Sequence, residues 1–205
     1  TLLTKNMVKY LKKHNCYIST SLDGPKEIHD VNRPLQDKTL DHHEIFERNL
    51  GMIRSIWQDK ECASALMTTS KYSLGNLKNI IDEYVRLGFN NIFLRSLNPY
   101  GFAKEHKDKI SYPIEDFIAN FKEGLDYIIE LNKQGVFIME GYTTLLLGRM
   151  LTPFATGFVD LQSPAGLINS VIVYNYDGYV YASDESRMLA EFNDYTFRLG
   201  HVNDS

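Results

Sequence analysis

Between residues 7 and 134 the apolar positions change period several times, from helical three-to-four spacing to short β-rich runs and back. Met7 to His14 reads as a short amphipathic helix with Lys12, Lys13 and His14 at its C-terminal end, where cations suit the helix dipole. Tyr17 to Leu22 is a run of β-formers that stops at Asp23-Gly24-Pro25, a strong turn signal. His42 to Trp57 sets Ile45, Phe46, Leu50, Ile53 and Trp57 at helical spacing. Ala63 to Thr69 is the next strand. Leu74 to Leu87 follows as a helix with Leu77, Ile80, Ile81, Tyr84 and Leu87 on its apolar side, and Gly88 fits its C-terminal cap. Asn91 to Arg95 reads as a third strand, followed by the turn residues Asn98-Pro99-Tyr100-Gly101. Ile114 to Gln134 is a long helix that starts just after Pro113.

Three strand-to-helix units in succession predict an α/β fold with parallel strands joined by crossover helices. In such sheets the residues just past each strand's C-terminal end line the site. That rule singles out residues 21–33, 68–73 and 95–104. The character changes after about Gly141. Residues 143–150 fit a short helix, and a stretch with Pro, Thr, Gly and Ser runs from 152 to 166. Asp177-Gly178 then sits between the apolar runs of Val171 to Tyr174 and Tyr179 to Tyr181, which predicts a hairpin. Residues from about 151 onward are expected to form a mostly irregular subdomain around that one hairpin, and the domain boundary is set at 140/141.

A length of 205 residues allows one domain with an appendage or two small domains. The net charge of −4 gives no general attraction to nucleic acid or anionic membrane. No apolar run approaches the roughly 20 residues needed to span a bilayer, and Thr1 to Lys5 has no signal-peptide pattern. A cytoplasmic protein is expected. Its two cysteines, Cys16 and Cys62, lack CxxC spacing and are expected to be buried free thiols at strand positions. No metal site is expected in the chain; His42-His43 reads as a solvated helix start, since adjacent helical residues point about 100° apart.

Ser21-Leu22-Asp23-Gly24-Pro25 with His29, Asp30 and Arg33 resembles the fourth-strand motif of radical S-adenosylmethionine (radical SAM) peptide and protein maturases, roughly S-L-D-G-P-x-x-x-H-D-x-x-R. Asn98-Pro99-Tyr100-Gly101 resembles a sixth-strand loop of some members. Tyr174 to Gly178, Val180-Tyr181, Ser183 to Glu185, Arg187 to Leu189 and Phe197 to Gly200 are similar to a C-terminal SPASM-type region, in particular that of the His-Xaa-Ser-system radical SAM maturases. The resemblance covers nearly the whole chain. It implies a partial (β/α) barrel with parallel strands over 1–140 and a small SPASM-like region with a β-hairpin over 141–205. It also implies that Leu2 to Met7 follows the family's third strand. The CxxxCxxC motif for the [4Fe–4S] cluster and the Gly-Gly-Glu-type stretch would then lie before Thr1, for neither occurs here.

The resemblance assigns Ser21, Asp23 and Arg33 to cofactor binding. The Ser21 hydroxyl would hold a ribose or carboxylate oxygen, and the Arg33 guanidinium the carboxylate of SAM. Two of them have a stated structural alternative, Arg33 paired with Asp30 or Glu27 to order the loop and Asp23 bonding the backbone two positions on. His29, which invites a metal or acid–base role, is expected to be structural in a polar loop. Arg95, Asn98 and Tyr100 are assigned to a peptide substrate, with turn chemistry and core packing as their alternatives. SPASM cysteines correspond here to Ala165 and Ser183, neither of which replaces a thiolate at iron. No auxiliary cluster is expected, and Asp184, Glu185 and Arg187 read as a hydrogen-bonded cluster.

The function implied is modification of a ribosomally synthesised peptide by adenosyl-radical hydrogen abstraction. SAM and a [4Fe–4S] cluster would be bound by the full-length protein but not tightly by these residues alone, with an electron-donor protein as partner. A barrel-like peptide-binding protein that has lost the cluster is the alternative. A metal-independent enzyme using His29 and Asp30 as acid and base is a third reading. Open strand edges predict self-association.

Overall fold

The structure is a computed structural model that describes residues 3–35, 37, 39–98, 102–158 and 171–204. Two compact units make up the chain, Thr1–Thr144 and Leu145–Ser205.

In the first unit, α1 (Lys5–Lys13) leads to β1 (Ile18–Ser21), α2 (Lys26–Asn32) and α3 (His42–Trp57); β2 (Ala63–Leu66) and α4 (Leu77–Arg86) follow, then β3 (Asn91–Ile92). Two short helices, α5 (Phe102–Glu105) and α6 (Lys107–Ile110), precede α7 (Ile114–Lys133) and β4 (Met139–Glu140); α8 (Gly141–Leu151) begins in this unit and runs past its end at Thr144. β1 pairs with β2 in parallel, Ile18 opposite Ala63 and Ser21 opposite Leu66. β3 pairs with β4 in parallel, Asn91 opposite Met139. The Thr69 amide donates to the Arg95 carbonyl at 2.9 Å and joins the two pairs just past their C-terminal ends.

The helices form where the sequence supplies both a face and ends. Asp41 caps α3 by accepting from the Glu44 amide, and Gln58 closes it in the left-handed region. Pro113 opens α7 with Glu115 and Asp116 in its first turn, on the favourable side of the dipole. The core lies between the strands and α3, α4 and α7. Ile80, Ile81 and Tyr84 are wholly buried there, beside Leu22, Met67, Ile92 and Leu94. Burial of each such side chain contributes about 1.5–3 kcal/mol. α7 approaches α4 at Gly124, where a Cβ would stand 2.2 Å from Leu77 Cδ2.

The strands are shorter than the β-rich runs suggest, because their last amides are diverted to side chains. The Thr68 N–H goes to the Asp23 carboxylate, which ends the β2 ladder. The Leu94 N–H goes to the Glu140 carboxylate, which ends β3. α4 begins at Leu77 rather than Leu74, since residues 70–76 form a turn in which the Ser70 Oγ takes the Tyr72 amide and the Ser73 Oγ takes the Ser70 amide. Cys62 is buried as expected; Cys16 is exposed, in the loop before β1.

In the second unit β5 (Val173–Tyr174), β6 (Tyr179–Tyr181) and β7 (Arg198–His201) form an antiparallel sheet in the order β5-β6-β7, with α9 (Asp184–Ala190) between the last two. The hairpin turns through residues 175–178, with Gly178 at φ +86°. A third strand corrects the expectation of one hairpin in an irregular region. Its polar and glycine-containing sequence hides it, and Arg198 is held by aromatic rings, 4.2 Å over Tyr179 and 4.7 Å over Tyr195.

Candidate functional site

β1 ends at Ser21, and the chain turns at Asp23-Gly24-Pro25 straight into α2. The turn fits only glycine at its centre. Gly24 has φ +130°, and a Cβ there would stand 2.7 Å from Ile80 Cγ1. This close seat on α4 carries Asp23 into the interior, 2% exposed. Its Oδ2 accepts from Arg33 Nε at 2.7 Å, and its Oδ1 accepts from Arg33 Nη2 at 3.2 Å and from the Thr68 amide at 3.1 Å. Asp23 thus binds across to the end of β2. It does not make the turn bond two residues on, because the residue there, Pro25, has no N–H to donate. Arg33 takes Asp23 and not Asp30 or Glu27 as its partner. Asp30 is occupied elsewhere, accepting from the His43 amide at 3.1 Å, with Lys26 3.6 Å away.

Ser21 and Arg33 line one cavity of about 340 Å³ together with His42 and Asn49, over an apolar wall of Phe46, Leu50 and Ile53. The structure therefore brings two of the three sequence-predicted cofactor residues to one space, and sets the third, Asp23, behind them as the counter-ion of Arg33.

His29 is wholly buried on α2 rather than in a polar loop. Its Nδ1 accepts from the Asp23 amide at 3.2 Å. Burial, then the electrostatic influence of His42, Arg33 and His43, lowers its pKa to about 4, so the ring is neutral near pH 7. Its Nε2 is buried without a partner among the described residues. An orphaned buried donor costs about 1–3 kcal/mol. His42 Nδ1 lies 2.9 Å from the Arg33 carbonyl, and its ring packs 4.7 Å from that of His29. The adjacent His29 and Asp30 serve different partners and do not form an acid–base pair.

His43 is buried rather than solvated. Its Nε2 meets Glu83 Oε1 at 2.8 Å and its Nδ1 lies 3.6 Å from Glu47 Oε1. These three side chains could hold a metal ion by proximity. Arg86, however, already donates to both Glu83 oxygens and to Glu47. Burial works to raise the Glu83 pKa, but the Arg86 and His43 bonds outweigh it and hold the carboxyl below its ordinary range. The group is an ion-pair lattice tying α3 to α4.

Past β3, Arg95 and Asn98 are both exposed; Tyr100 lies outside the described residues. The Leu97 amide and the Thr69 carbonyl both bond the Tyr112 hydroxyl, at 2.7 and 3.0 Å, which fixes this loop against the one after β2. Sequence reasoning missed Glu140. It is 3% exposed, and its carboxylate accepts from the amides of Leu94, Tyr142 and Thr143 at 3.0, 3.2 and 2.5 Å. An acidic residue just before a Gly-initiated helix is the available signal. In the second unit Ser183 caps α9, its Oγ accepting from the Ser186 amide at 3.2 Å. Arg187 bonds Asp184 at 3.0 Å. Ala165 lies outside the described residues.

The donor set does not fit an iron–sulfur cluster: the chain has two cysteines, Cys16 exposed and Cys62 buried, against the three spaced thiolates that such a site needs. A cation and a hydroxyl facing an apolar-walled cavity do fit an amino-acid-type ligand such as SAM. No helix among the described residues is long and apolar enough to cross a membrane.

No protein-family model matches the chain, and no curated protein matches it. Solved structures do. The chain superposes over its whole length on native anSMEcpe, an anaerobic sulfatase-maturating radical SAM enzyme, with bound AdoMet, at a TM-score of 0.72 and 21% identity. The same enzyme with AdoMet and the Cp18Cys peptide gives 0.72 and 21%, and with AdoMet and the Kp18Cys peptide 0.67 and 20%. In each case the match covers 100% of this chain and 52% or 53% of the other, so the chain spans about half the length of these neighbours. Likeness at this level of identity is likeness of fold: the chain shares its fold with about half of a radical SAM enzyme.

Proposed function

We propose that the chain is part of a radical SAM enzyme that modifies a ribosomally synthesised peptide or protein by hydrogen abstraction. Residues 1–140 would be part of the (β/α) barrel and residues 141–205 a SPASM-like region. The observation that carries this reading is the meeting of Ser21 and Arg33 on one cavity wall at the C-terminal end of a parallel strand, in a fold shared with AdoMet-bound enzymes. The Arg33 guanidinium, already forked by Asp23, has further N–H donors for the carboxylate of SAM. Ser21 would take a second oxygen, and the Phe46, Leu50 and Ile53 wall would keep water out. SAM, when bound and supplied with an electron, provides the hydrogen-abstracting radical.

The thiolates for a [4Fe–4S] cluster would come from residues outside these 205. The SPASM-like region would bind no auxiliary cluster, since it has no cysteine. Arg95, Asn98 and Tyr100 would meet the peptide, and the peptide-bound neighbours support a substrate of that class. An electron-donor protein, a cytoplasmic location and kinship with the His-Xaa-Ser-system maturases complete the proposal. Self-association through the β1 edge, which is unpaired on one side among the described residues, is expected of the isolated chain.

The two unclustered cysteines favour one second reading, a peptide-binding protein without the redox centre. Calorimetric titration of SAM into the anaerobically reconstituted full-length protein separates the two. Saturable binding weakened about tenfold in Arg33→Ala, the size expected for a lost charge-assisted bond, supports the enzyme; no binding with a loaded cluster excludes it.

A further inference from the structure

Behind the Ser21 and Arg33 wall sits an imidazole with no role in the reading above. His29 is wholly buried, and its two nitrogens are treated unequally. An amide N–H only donates, so the Asp23 N–H at Nδ1 requires a lone pair there and puts the ring proton on Nε2. That Nε2–H meets no acceptor among the described residues. Packing alone gives no reason for a polar ring here, because a buried donor without a partner is a cost. The bond that the ring does make is the one to Asp23.

The consequences reach both ends of the ion pair. Asp23 is held by its amide, and its carboxylate then reaches Arg33 and the Thr68 amide. Arg33 is held by its own amide, which donates to the His29 carbonyl at 2.9 Å. A carbonyl only accepts, so His42 Nδ1 carries a proton and donates to the Arg33 carbonyl, while the His42 ring packs on that of His29. The four residues close a circuit, and two of them, Arg33 and His42, line the cavity.

We propose that His29 is a positioning residue: through the Asp23 amide it sets the Asp23 carboxylate against Nε and Nη2 of Arg33, so that the rest of the guanidinium is presented to the cavity for the carboxylate of an amino-acid-type ligand. This rests on the reading of the cavity as the SAM site. The neutral ring keeps the Nδ1 lone pair available across the physiological pH range.

Asparagine and glutamine separate positioning from packing. The Asn Oδ1 can stand where Nδ1 does and accept from the Asp23 amide, whereas the Gln Oε1 lies farther out, near Nε2. Both substitutions lose the ring, so their difference isolates the Nδ1 bond. The ¹H–¹⁵N spectrum of this chain reads it through the Asp23-bound Arg33 Nε–H and the Asp23 amide. Slow exchange at both sites is expected in the wild type and in His29→Asn, and exchange at least about tenfold faster in His29→Gln. Equal protection in the two variants overturns the proposal. The wild type gives a test that needs no variant: long-range ¹H–¹⁵N correlation shows the Nε2–H tautomer, and an Nδ1–H tautomer overturns the proposal. In the full-length protein, SAM affinity falls about tenfold in His29→Gln and less than about threefold in His29→Asn. A lost Arg33 signal with unchanged SAM affinity overturns the cavity reading and leaves the positioning intact.

Discussion

Asp23 and Arg33, ten positions apart, meet side-on, Nε on Oδ2 at 2.7 Å and Nη2 on Oδ1 at 3.2 Å, at the mouth of the first parallel strand pair. The acid is 2% exposed, while the Arg33 side chain is one-third open. Removing the arginine strands a buried carboxylate with the Thr68 amide and little else. Arg33→Leu is expected to cost about 3 kcal/mol in urea unfolding. The Asp23→Asn/Arg33→Leu double variant should fall short of the summed losses by about 1–3 kcal/mol. Additive losses would show that the two side chains act independently.

His29 links the same region to pH. Its folded pKa, about 4, lies below the unfolded value of 6.5. Between these values the unfolded chain binds the proton that the folded chain refuses. Stability is therefore lost as pH falls from about 6.5, and the full loss, about 3 kcal/mol, is reached below about pH 4. Denaturation midpoints taken from pH 7 to 4 should show this slope in the wild type. A steeper fall in the wild type than in His29→Asn assigns it to the imidazole; parallel curves would place the acid sensitivity elsewhere.

Gly24→Ala meets two obstacles at once, a φ of +130° and Ile80 Cγ1 at 2.7 Å from the new Cβ. The expected loss is about 2–4 kcal/mol. Ile80→Ala alone leaves a cavity; combined with Gly24→Ala it should relieve the clash but not the dihedral strain. Thermal melts of the three variants check this, and a neutral Gly24→Ala would contradict the close approach.

Glu140→Ala leaves three amides, those of Leu94, Tyr142 and Thr143, without their carboxylate. Hydrogen exchange at these positions should accelerate at least about tenfold, with a stability loss of about 2–3 kcal/mol. The Met139 amide, bonded to the Asn90 carbonyl, serves as the internal control. Unchanged exchange at Leu94 would remove Glu140 from its role in joining β3 to α8.

The periodic parts of the chain were legible. Residues 42–57 and 114–134 show helical spacing and end signals; the first is a helix over those bounds, and the second ends one residue early, with Gln134 as its cap. The parallel direction of β1 and β2 follows from the helices between them. Wherever side chains compete with backbone partners, legibility ended. β2 and β3 stop early because Asp23 and Glu140 take the next amides, and a hydrophobic pattern does not record such bonds. α2 was hidden inside a loop-like motif: its seven residues are too few for a period to show, and Pro25 at its start reads as a turn. The pairing of Asp23 with Arg33 and the burial of His29 and His43 depend on contacts between distant elements. Ser21 and Arg33 were found through the motif, and only their common cavity came from the fold.

Anaerobic reconstitution of the full-length protein with iron and sulfide, followed by reduction in the presence of SAM, gives a 5′-deoxyadenosine yield that decides the functional reading. Formation of 5′-deoxyadenosine, reduced at least about tenfold by Arg33→Ala at limiting SAM, is expected of a radical SAM enzyme that binds its cofactor beside Ser21 and Arg33. A fully loaded cluster that forms no 5′-deoxyadenosine, or a yield indifferent to Arg33→Ala, would contradict it.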